Sequence, residues 1–353
     1  MPSSKNSRFI QIGKRKIGPG FAPFVIAEAG VNHNGKLSLA KRLIDAAARA
    51  GADAVKFQTF KAEDLVTTSA AMAAYQKTNL GKTQSQLAML KRLELSDKEF
   101  RRLKRYSAAK NIVFLTTPHT LASVPLVGEL CPAFKVASGD LPNHYFLKSL
   151  TKLRKPIILS TGMSTLAEVK AAVRVIEKTG NKQIALLHCT SQYPCPPAEV
   201  NLRAMNTMME TFQYPVGYSD HTLGLQVSIM AAVSGACIIE KHFTLSKKMA
   251  GPDHRASLDP KELGDLVKAM KLVPMILGQA EKQPTASELR TARVARKSLV
   301  AIKDIHRGAK FTTKNLGIKR PGTGLAPQHY EALLGRESKR NIPADTLINR
   351  HDL

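Results

Sequence analysis

Eight short apolar runs, each followed by a stretch of helical periodicity, set the tightest limit on what this chain can fold into. The runs are FVIAEAG (24–30), AVKFQTF (54–60), IVFLTTP (112–118), AFKVASGD (133–140), PIILSTG (156–162), IALLHCTS (184–191), PVGYSDH (215–221) and IIEKHFT (238–244). Their length and β-branched or aromatic content read as buried strands. Between them lie segments such as LSLAKRLIDAAARAG, DKEFRRLKRYSAAKN, TLAEVKAAVRVIEKTG and DPKELGDLVKAMKLVPMILG, with apolar positions three to four apart. Ser38, Ser96, Thr165 and Asp259 read as their N-terminal caps, and Gly51, Gly180 and Gly278 as their stops. Strict strand–helix alternation over about 250 residues predicts a TIM (β/α)8 barrel, although a doubly wound parallel sheet shares the alternation.

The barrel is expected over residues 1–280. One interval, Phe60 to Ser96, is too long for a simple connection and reads as an insertion after the second strand, either over the catalytic face or as a structural flap. Residues 281–297 are polar and basic, a linker or exposed helix. Residues 298–353 carry short β-like pieces, the turn signals HRG and PAD and one short helix, and so read as a second, small domain needing support from the rest of the molecule.

Composition removes several function classes. No apolar run approaches the roughly 20 residues that cross a bilayer, and the basic N-terminus lacks the apolar core of a signal peptide, so no membrane partner is expected. The four cysteines, Cys131, Cys189, Cys195 and Cys237, have no metal or disulfide spacing, which suits a reducing compartment and a cytoplasmic location. The net charge of +26 is spread over the chain, and aromatics are 5% with no Trp. Stacking platforms are therefore scarce and no zinc-finger or RNP-like motif is seen, so no nucleic-acid partner is expected; an anionic substrate or a generally basic proteome explains the charge instead.

In such a barrel the C-terminal strand ends build the active site, and here nearly every run ends in polar groups. Glu28 ends the first; Lys56 and Gln58 lie on the second, two apart and so on one side; Thr116 and Thr117 end the third. Lys135, Ser138 and Asp140 belong to the fourth, Ser160 and Thr161 to the fifth, and His188, Thr190 and Ser191 to the sixth. A lysine in an apolar strand is costly unless paired or offered an anion. Lys56 and Lys135 with convergent hydroxyls therefore describe a phosphate and carboxylate site, or else ion-pair with Glu28, Asp140 or Glu240. His221 and His242 lie one repeat apart on consecutive strands, about 4.8 Å from strand to strand. A lone strand histidine is usually a satisfied core residue, but a matched pair suits a divalent ion such as Mn²⁺ or Mg²⁺ with open positions. Ser219 lies in the seventh run, and Asp220 between Ser219 and His221 is expected to point away from its neighbours and to orient an imidazole from behind. In the loop after the eighth run, Asp253 either binds a polyol hydroxyl or caps a turn.

With these positions collected, the words FVIAEAGVNHNG, AVKFQTF, AAYQKTN, SQLAMLKRLELS, KVASGD, PIILSTGM, LLHCTSQYP, VNLRAMN, GYSDHT, EKHFT, GPDHRAS and KRPGTG, in that order from residue 24 to about 324, resemble the sialic acid synthase family. That family condenses phosphoenolpyruvate with an N-acylated mannosamine-type sugar. The resemblance implies a TIM barrel followed by a C-terminal antifreeze-like (SAF) domain in a domain-swapped homodimer, with Arg320 reaching toward the partner's sugar. It implies manganese on His221 and His242, with magnesium or cobalt as alternatives. Phosphoenolpyruvate contacts fall on Lys56, Thr117, Lys135, Ser138, Ser160 and Ser219, with Gln58 nearby, and sugar contacts on Asp140, Tyr193, Asp253 and Asn79. Glu28 matches the glutamate near the metal. Asp140 stands where several bacterial members have Glu, and Ser191 where some have Asn. Competing chemistries are another phosphoenolpyruvate–aldose 3-deoxy-sugar acid synthase, or a Schiff-base aldolase using Lys135 or Lys241.

Overall fold

The computed structural model describes residues 9–73, 76, 77, 79 and 85–353, and the chain divides into two compact units, Met1–Gly278 and Gln279–Leu353. The word AAYQKTN falls partly outside the described residues.

The larger unit opens with an antiparallel hairpin, β1 (Ile10–Ile12) and β2 (Arg15–Ile17). Ile10, Ile12 and Ile17 belong to the main core. Arg15 pairs with Asp53 at 2.6 Å, just before the second barrel strand, which puts the hairpin at the N-terminal end of the barrel. The eight apolar runs then form eight parallel strands: β3 (Phe24–Gly30), β4 (Ala54–Thr59), β5 (Val113–Pro118), β6 (Phe134–Val136), β7 (Ile157–Ser160), β8 (Ile184–Cys189), β9 (Val216–Asp220) and β10 (Ile238–His242). Their order is β5-β4-β3-β10-β9-β8-β7-β6, so chain neighbours are sheet neighbours and β3 pairs with β10. β5 and β6 lie side by side without a hydrogen-bonded ladder, the one open seam of a nearly closed TIM barrel. A singly wound barrel, not a doubly wound sheet, is the outcome of the alternation.

Several helices start where a side-chain cap satisfies free N–H groups. Ser96, Thr165 and Asp259 each form a capping box with the glutamate three residues on. Ser38 instead lies inside the helix Leu37–Ala50, whose N-cap is Lys36. That helix stops at Gly51, left-handed at φ 79°, a conformation that costs other residues a clash with Cβ. Within the interval from Phe60 to Ser96, Phe60, Ala62, Met72, Met89, Leu90 and Leu93 form a satellite core with Val31.

The fourth strand is shorter than expected. β6 ends at Val136, and Ser138–Asp140 form a 3-10 turn. Asp140 thus sits half-buried on a turn above the strand end, not on the strand itself. Helix Ala286–Ala295, capped by Thr285, occupies much of the segment 281–297. The small unit that follows has its own core, Leu299, Ala301, Ile305, Phe311, Leu316, Leu333, Ile342 and Ile348, around the antiparallel pair β11 (Ser298–Ala301) and β12 (Leu316–Lys319).

Candidate active site

Alternation along the barrel strands sends one set of side chains inward, and at the C-terminal end that set is charged. His242, Glu28 and Lys56 share one register row across β10, β3 and β4. Lys56 Nζ lies 2.7 Å from Glu28 Oε2 and donates to Thr117 Oγ1 at 3.1 Å. Gln58 Nε2 donates to Glu28 Oε1 at 3.3 Å. On the far side, Lys135 Nζ donates to Ser160 Oγ at 2.7 Å. Between the two lysines stands Glu240. Its Oε1 lies 3.3 Å from Lys135 and 3.7 Å from Lys56, and accepts from Ser219 Oγ at 3.2 Å. Its other oxygen, Oε2, is buried with no hydrogen-bond partner among the described residues.

The electrostatics of this cluster are asymmetric. Burial pushes Glu28 up, and the nearby charge of Glu240 adds to it, so that despite Lys56 the group titrates at about 7. Burial works on Glu240 in the same direction, but Lys135 and Lys56, with His242 and His221, overcome it and hold the group at about 2. Burial lowers Lys135, although Glu240 opposes the shift; for Lys56 burial is outweighed by Glu240 and Glu28, and the ammonium is favoured. Two lysines and two carboxylates thus share one buried cluster, Glu240 held ionised and Glu28 titrating near neutrality, so that a proton on Glu28 leaves the cluster net positive. Such a site has unspent positive charge and is receptive to an anion.

Beside it, Gly162 N donates to Ser138 Oγ at 3.0 Å, and Ser138 Oγ lies 3.2 Å from Cys189 Sγ. A Cβ on Gly162 would fall 2.4 Å from Ser191 Oγ and 2.9 Å from both Cys189 Sγ and Ser138 Oγ. Glycine here lets the backbone close onto these groups, which a larger side chain would push apart.

The two histidines flank the same mouth. Their ring centroids are 5.7 Å apart, and Tyr193 packs on both, 4.2 Å from His221 and edge-on at 5.8 Å from His242. His221 Nδ1 lies 2.7 Å from the Thr190 carbonyl, which can only accept, so the proton sits on Nδ1 and Nε2 keeps its lone pair. Burial holds His221 at about 4 and His242 well below the ordinary value, in the latter case with help from His221. Both rings are thus neutral, as metal ligation requires, and His242 Nδ1 is buried without a partner. Among the described residues no group of three or more His, Cys, Asp or Glu side chains is arranged to hold a metal. The donor set fits a divalent ion held by two imidazoles with its other positions open, and does not fit a closed structural site.

Asp253 is buried on the loop after β10, and burial alone raises its carboxyl to about 6. The loop is braced by the turn after β3: Asn34 Nδ2 donates to the Ala250 carbonyl at 2.9 Å, and His254 bridges Asn34 Oδ1 at 3.2 Å and Thr244 Oγ1 at 2.6 Å. Asn79 Nδ2 donates to the Pro252 carbonyl at 2.6 Å, which places it beside Asp253. Arg320 lies in the C-terminal unit, exposed at the end of β12 ahead of a cis Arg320–Pro321 bond.

Three expectations change. Asp220 does point away from the mouth, but its carboxylate touches no imidazole; it accepts from Lys241, Thr222 and Ser228. Lys241 itself faces outward with it, which removes it as a Schiff-base nucleophile at the mouth. His188 also turns outward, Nε2 lying 2.8 Å from the Val200 carbonyl. Conversely, Glu240 was read from sequence only as an ion-pair partner for the lysines, yet it stands at the centre of the cluster. Its position two residues before His242, hence on the same side of the strand, is the signal that marks it.

Comparison with known proteins agrees with this architecture. Residues 43–282 match the NeuB family and residues 296–353 the SAF domain. The chain is 48% identical over 327 residues to N,N'-diacetyllegionaminic acid synthase of Campylobacter jejuni, covering 92% of this chain and 98% of that one. It is 42% identical over 341 residues to the enzyme of the same name from Legionella pneumophila, covering 95% and 96%. The crystal structure of an N-acetylneuraminic acid synthetase from Leptospira borgpetersenii, in complex with citrate, superposes with a TM-score of 0.71 at 36% identity, covering 81% of this chain and 95% of that one. The chain belongs to the NeuB family of sialic and related nonulosonic acid synthases, with a SAF domain at its C-terminus.

Proposed function

We infer that this enzyme condenses phosphoenolpyruvate with an N-acylated amino sugar and water to give a nine-carbon keto acid and phosphate. The observation that carries the reading is the buried pair Lys56 and Lys135 converging on the carboxylate of Glu240 in the barrel mouth. Phosphoenolpyruvate brings the missing negative charge. Charge-assisted hydrogen bonds from the lysines, with Thr117, Ser138, Ser160, Ser191 and Ser219, would hold its carboxylate and phosphate.

His221 and His242 would hold a divalent ion, Mn²⁺ in our proposal, and the ion would supply Lewis acidity toward the open-chain aldehyde of the sugar. C3 of the enol attacks the aldehyde carbon, and positive charge develops at C2. Water adds there, and its proton passes to a carboxylate; Glu28, titrating at about 7, is the base suited to neutral pH. The tetrahedral product expels phosphate by breaking the C2–O bond while its C2 hydroxyl gives up its proton to leave the ketone; of the two protons brought by water, one ends on the alkoxide formed from the aldehyde and the other on the departing phosphate. Tyr193, Asp253 and Asn79 are the proposed sugar contacts, with Asp140 on the turn above Lys135. Arg320 would act from the small domain of a partner in a domain-swapped homodimer, and the free thiols fit a cytoplasmic enzyme.

For the sugar, the names of the relatives at 48% and 42% identity favour a 2,4-diacetamido-6-deoxy mannose over N-acetylmannosamine, and so a legionaminate-type product. Phosphate release from phosphoenolpyruvate, followed with each sugar in turn with Mn²⁺ and again with EDTA, tests the reading. Release should depend on both sugar and metal and be fastest with the 2,4-diacetamido sugar. A preference for N-acetylmannosamine overturns the legionaminate assignment, and sugar-independent release overturns the condensation.

A further inference from the structure

The shortest fully buried ion pair among the described residues of the barrel is not in the mouth. β9 and β10 are register partners: Ser219 stands opposite Glu240 and Asp220 opposite Lys241. The first pair faces inward; the second faces outward, toward helix Gln226–Val233, and is almost completely buried. Lys241 Nζ lies 2.6 Å from Asp220 Oδ2. Ser228 Oγ donates to the same oxygen at 2.5 Å. Thr222 donates to Oδ1 from both its backbone N and its Oγ1, each at 2.8 Å, and Lys241 Nζ donates again to the Thr222 carbonyl at 2.8 Å. Every one of these bonds touches residue 220, 222 or 241. The chain on both sides of His221 is therefore tied to the residue immediately before His242.

A buried pair of this kind gains little stability over apolar packing, because desolvating two charges offsets their attraction. What it does supply is geometry. Each member precedes one imidazole by a single residue, and the two members are cross-strand neighbours. The Asp220 carboxylate closes a turn around His221 through Thr222, while Lys241 fixes how far that turn can move along β10.

We propose that Asp220 and Lys241 form a positioning clamp on the outer wall of the barrel, which sets the separation and orientation of the His221 and His242 imidazoles and thereby the affinity of the pair for a divalent cation. The proposal rests on the two-imidazole metal reading above. It assigns the clamp no contact with substrate.

The test uses the full-length protein and Mn²⁺ as the probe. Mn²⁺ binding is measured by the electron paramagnetic resonance signal of the free ion, with no substrate present, and thermal stability is measured in EDTA. Asp220→Asn and Lys241→Met should each weaken Mn²⁺ binding by about tenfold, the low end of what losing a partner bonded directly to a ligand costs, because the clamp acts through the backbone beside each histidine. Leu43→Ala, a cavity variant in the buried core of helix Leu37–Ala50, should lower thermal stability and leave Mn²⁺ binding at the wild-type level. If Asp220→Asn or Lys241→Met does not fold, Thr222→Val reports in its place: it removes one donor to Asp220, keeps the shape, and should weaken binding in the same direction. Folded clamp variants with wild-type Mn²⁺ affinity overturn the proposal and leave the pair a purely structural one. A wild-type protein that binds no Mn²⁺ overturns the metal reading itself, a result separable from the first.

Discussion

Two buried charge clusters lie one strand-face apart in this barrel, and they are built on opposite plans. Outside, the Asp220 carboxylate accepts four hydrogen bonds and its partner Lys241 is doubly engaged. Inside, Glu240 Oε2 and His242 Nδ1 have no partner among the described residues, and Lys56 and Lys135 converge on one oxygen. A buried polar network that is complete holds structure; one left incomplete has stored capacity for a ligand. The difference is one residue of alternation on the same two strands, since Glu240 and Lys241 are chain neighbours.

The widest separation between the two clusters should come from His242→Ala or His221→Ala. Turnover should fall to background and Mn²⁺ binding should vanish, while the melting temperature in EDTA stays near wild type; full activity in EDTA would remove the metal from the account. Next, Lys135→Met should lower kcat/KM for phosphoenolpyruvate by about 10–100-fold, as expected for a charged hydrogen bond of about 1.5–3 kcal/mol. In urea it should cost less stability than Lys241→Met, for which breaking a fully engaged buried pair costs about 3–5 kcal/mol. An inner variant that destabilises more than the outer one contradicts the comparison.

A smaller effect concerns pH. Glu28 is raised in the folded protein, so the folded state holds a proton that the unfolded state releases above about 4.5, and stability falls as pH rises from there through about 7. Glu240 is depressed, so its contribution is present above about 4.5 and is lost as pH falls toward about 2. Glu28→Gln should flatten the upper slope only, and urea titrations at a series of pH values read this directly. Smallest of all, Asp253→Asn should raise KM for the sugar about fivefold, the worth of one ordinary hydrogen bond, and leave KM for phosphoenolpyruvate unchanged; a change in the latter alone would move Asp253 to the other substrate.

The barrel was legible because all eight strands are short, mostly apolar runs and most connections carry a helical period, a pattern only a few topologies satisfy. The position of the mouth followed from polar residues at the strand ends. Other features had no such periodicity. The N-terminal hairpin hides three core isoleucines among lysines and arginines. The early end of β6 depends on the 3-10 turn Ser138–Asp140, whose Gly139 looks from sequence like any strand-end glycine. Asp220 was correctly placed outside by alternation, but its partners come from Ser228 on the following helix and Lys241 one repeat later, contacts that spacing alone does not rank. Glu240 could have been found, because the same period-two argument that joined Lys56 to Gln58 joins it to His242.

The most direct test of the central claim, that an anion-hungry barrel mouth performs a condensation with cleavage of the C–O bond, uses phosphoenolpyruvate labelled with ¹⁸O in the bridging position. The enzyme with Mn²⁺ and the 2,4-diacetamido sugar should deliver all of that label into inorganic phosphate. Label retained in the keto acid product would mean attack at phosphorus, and would contradict the account.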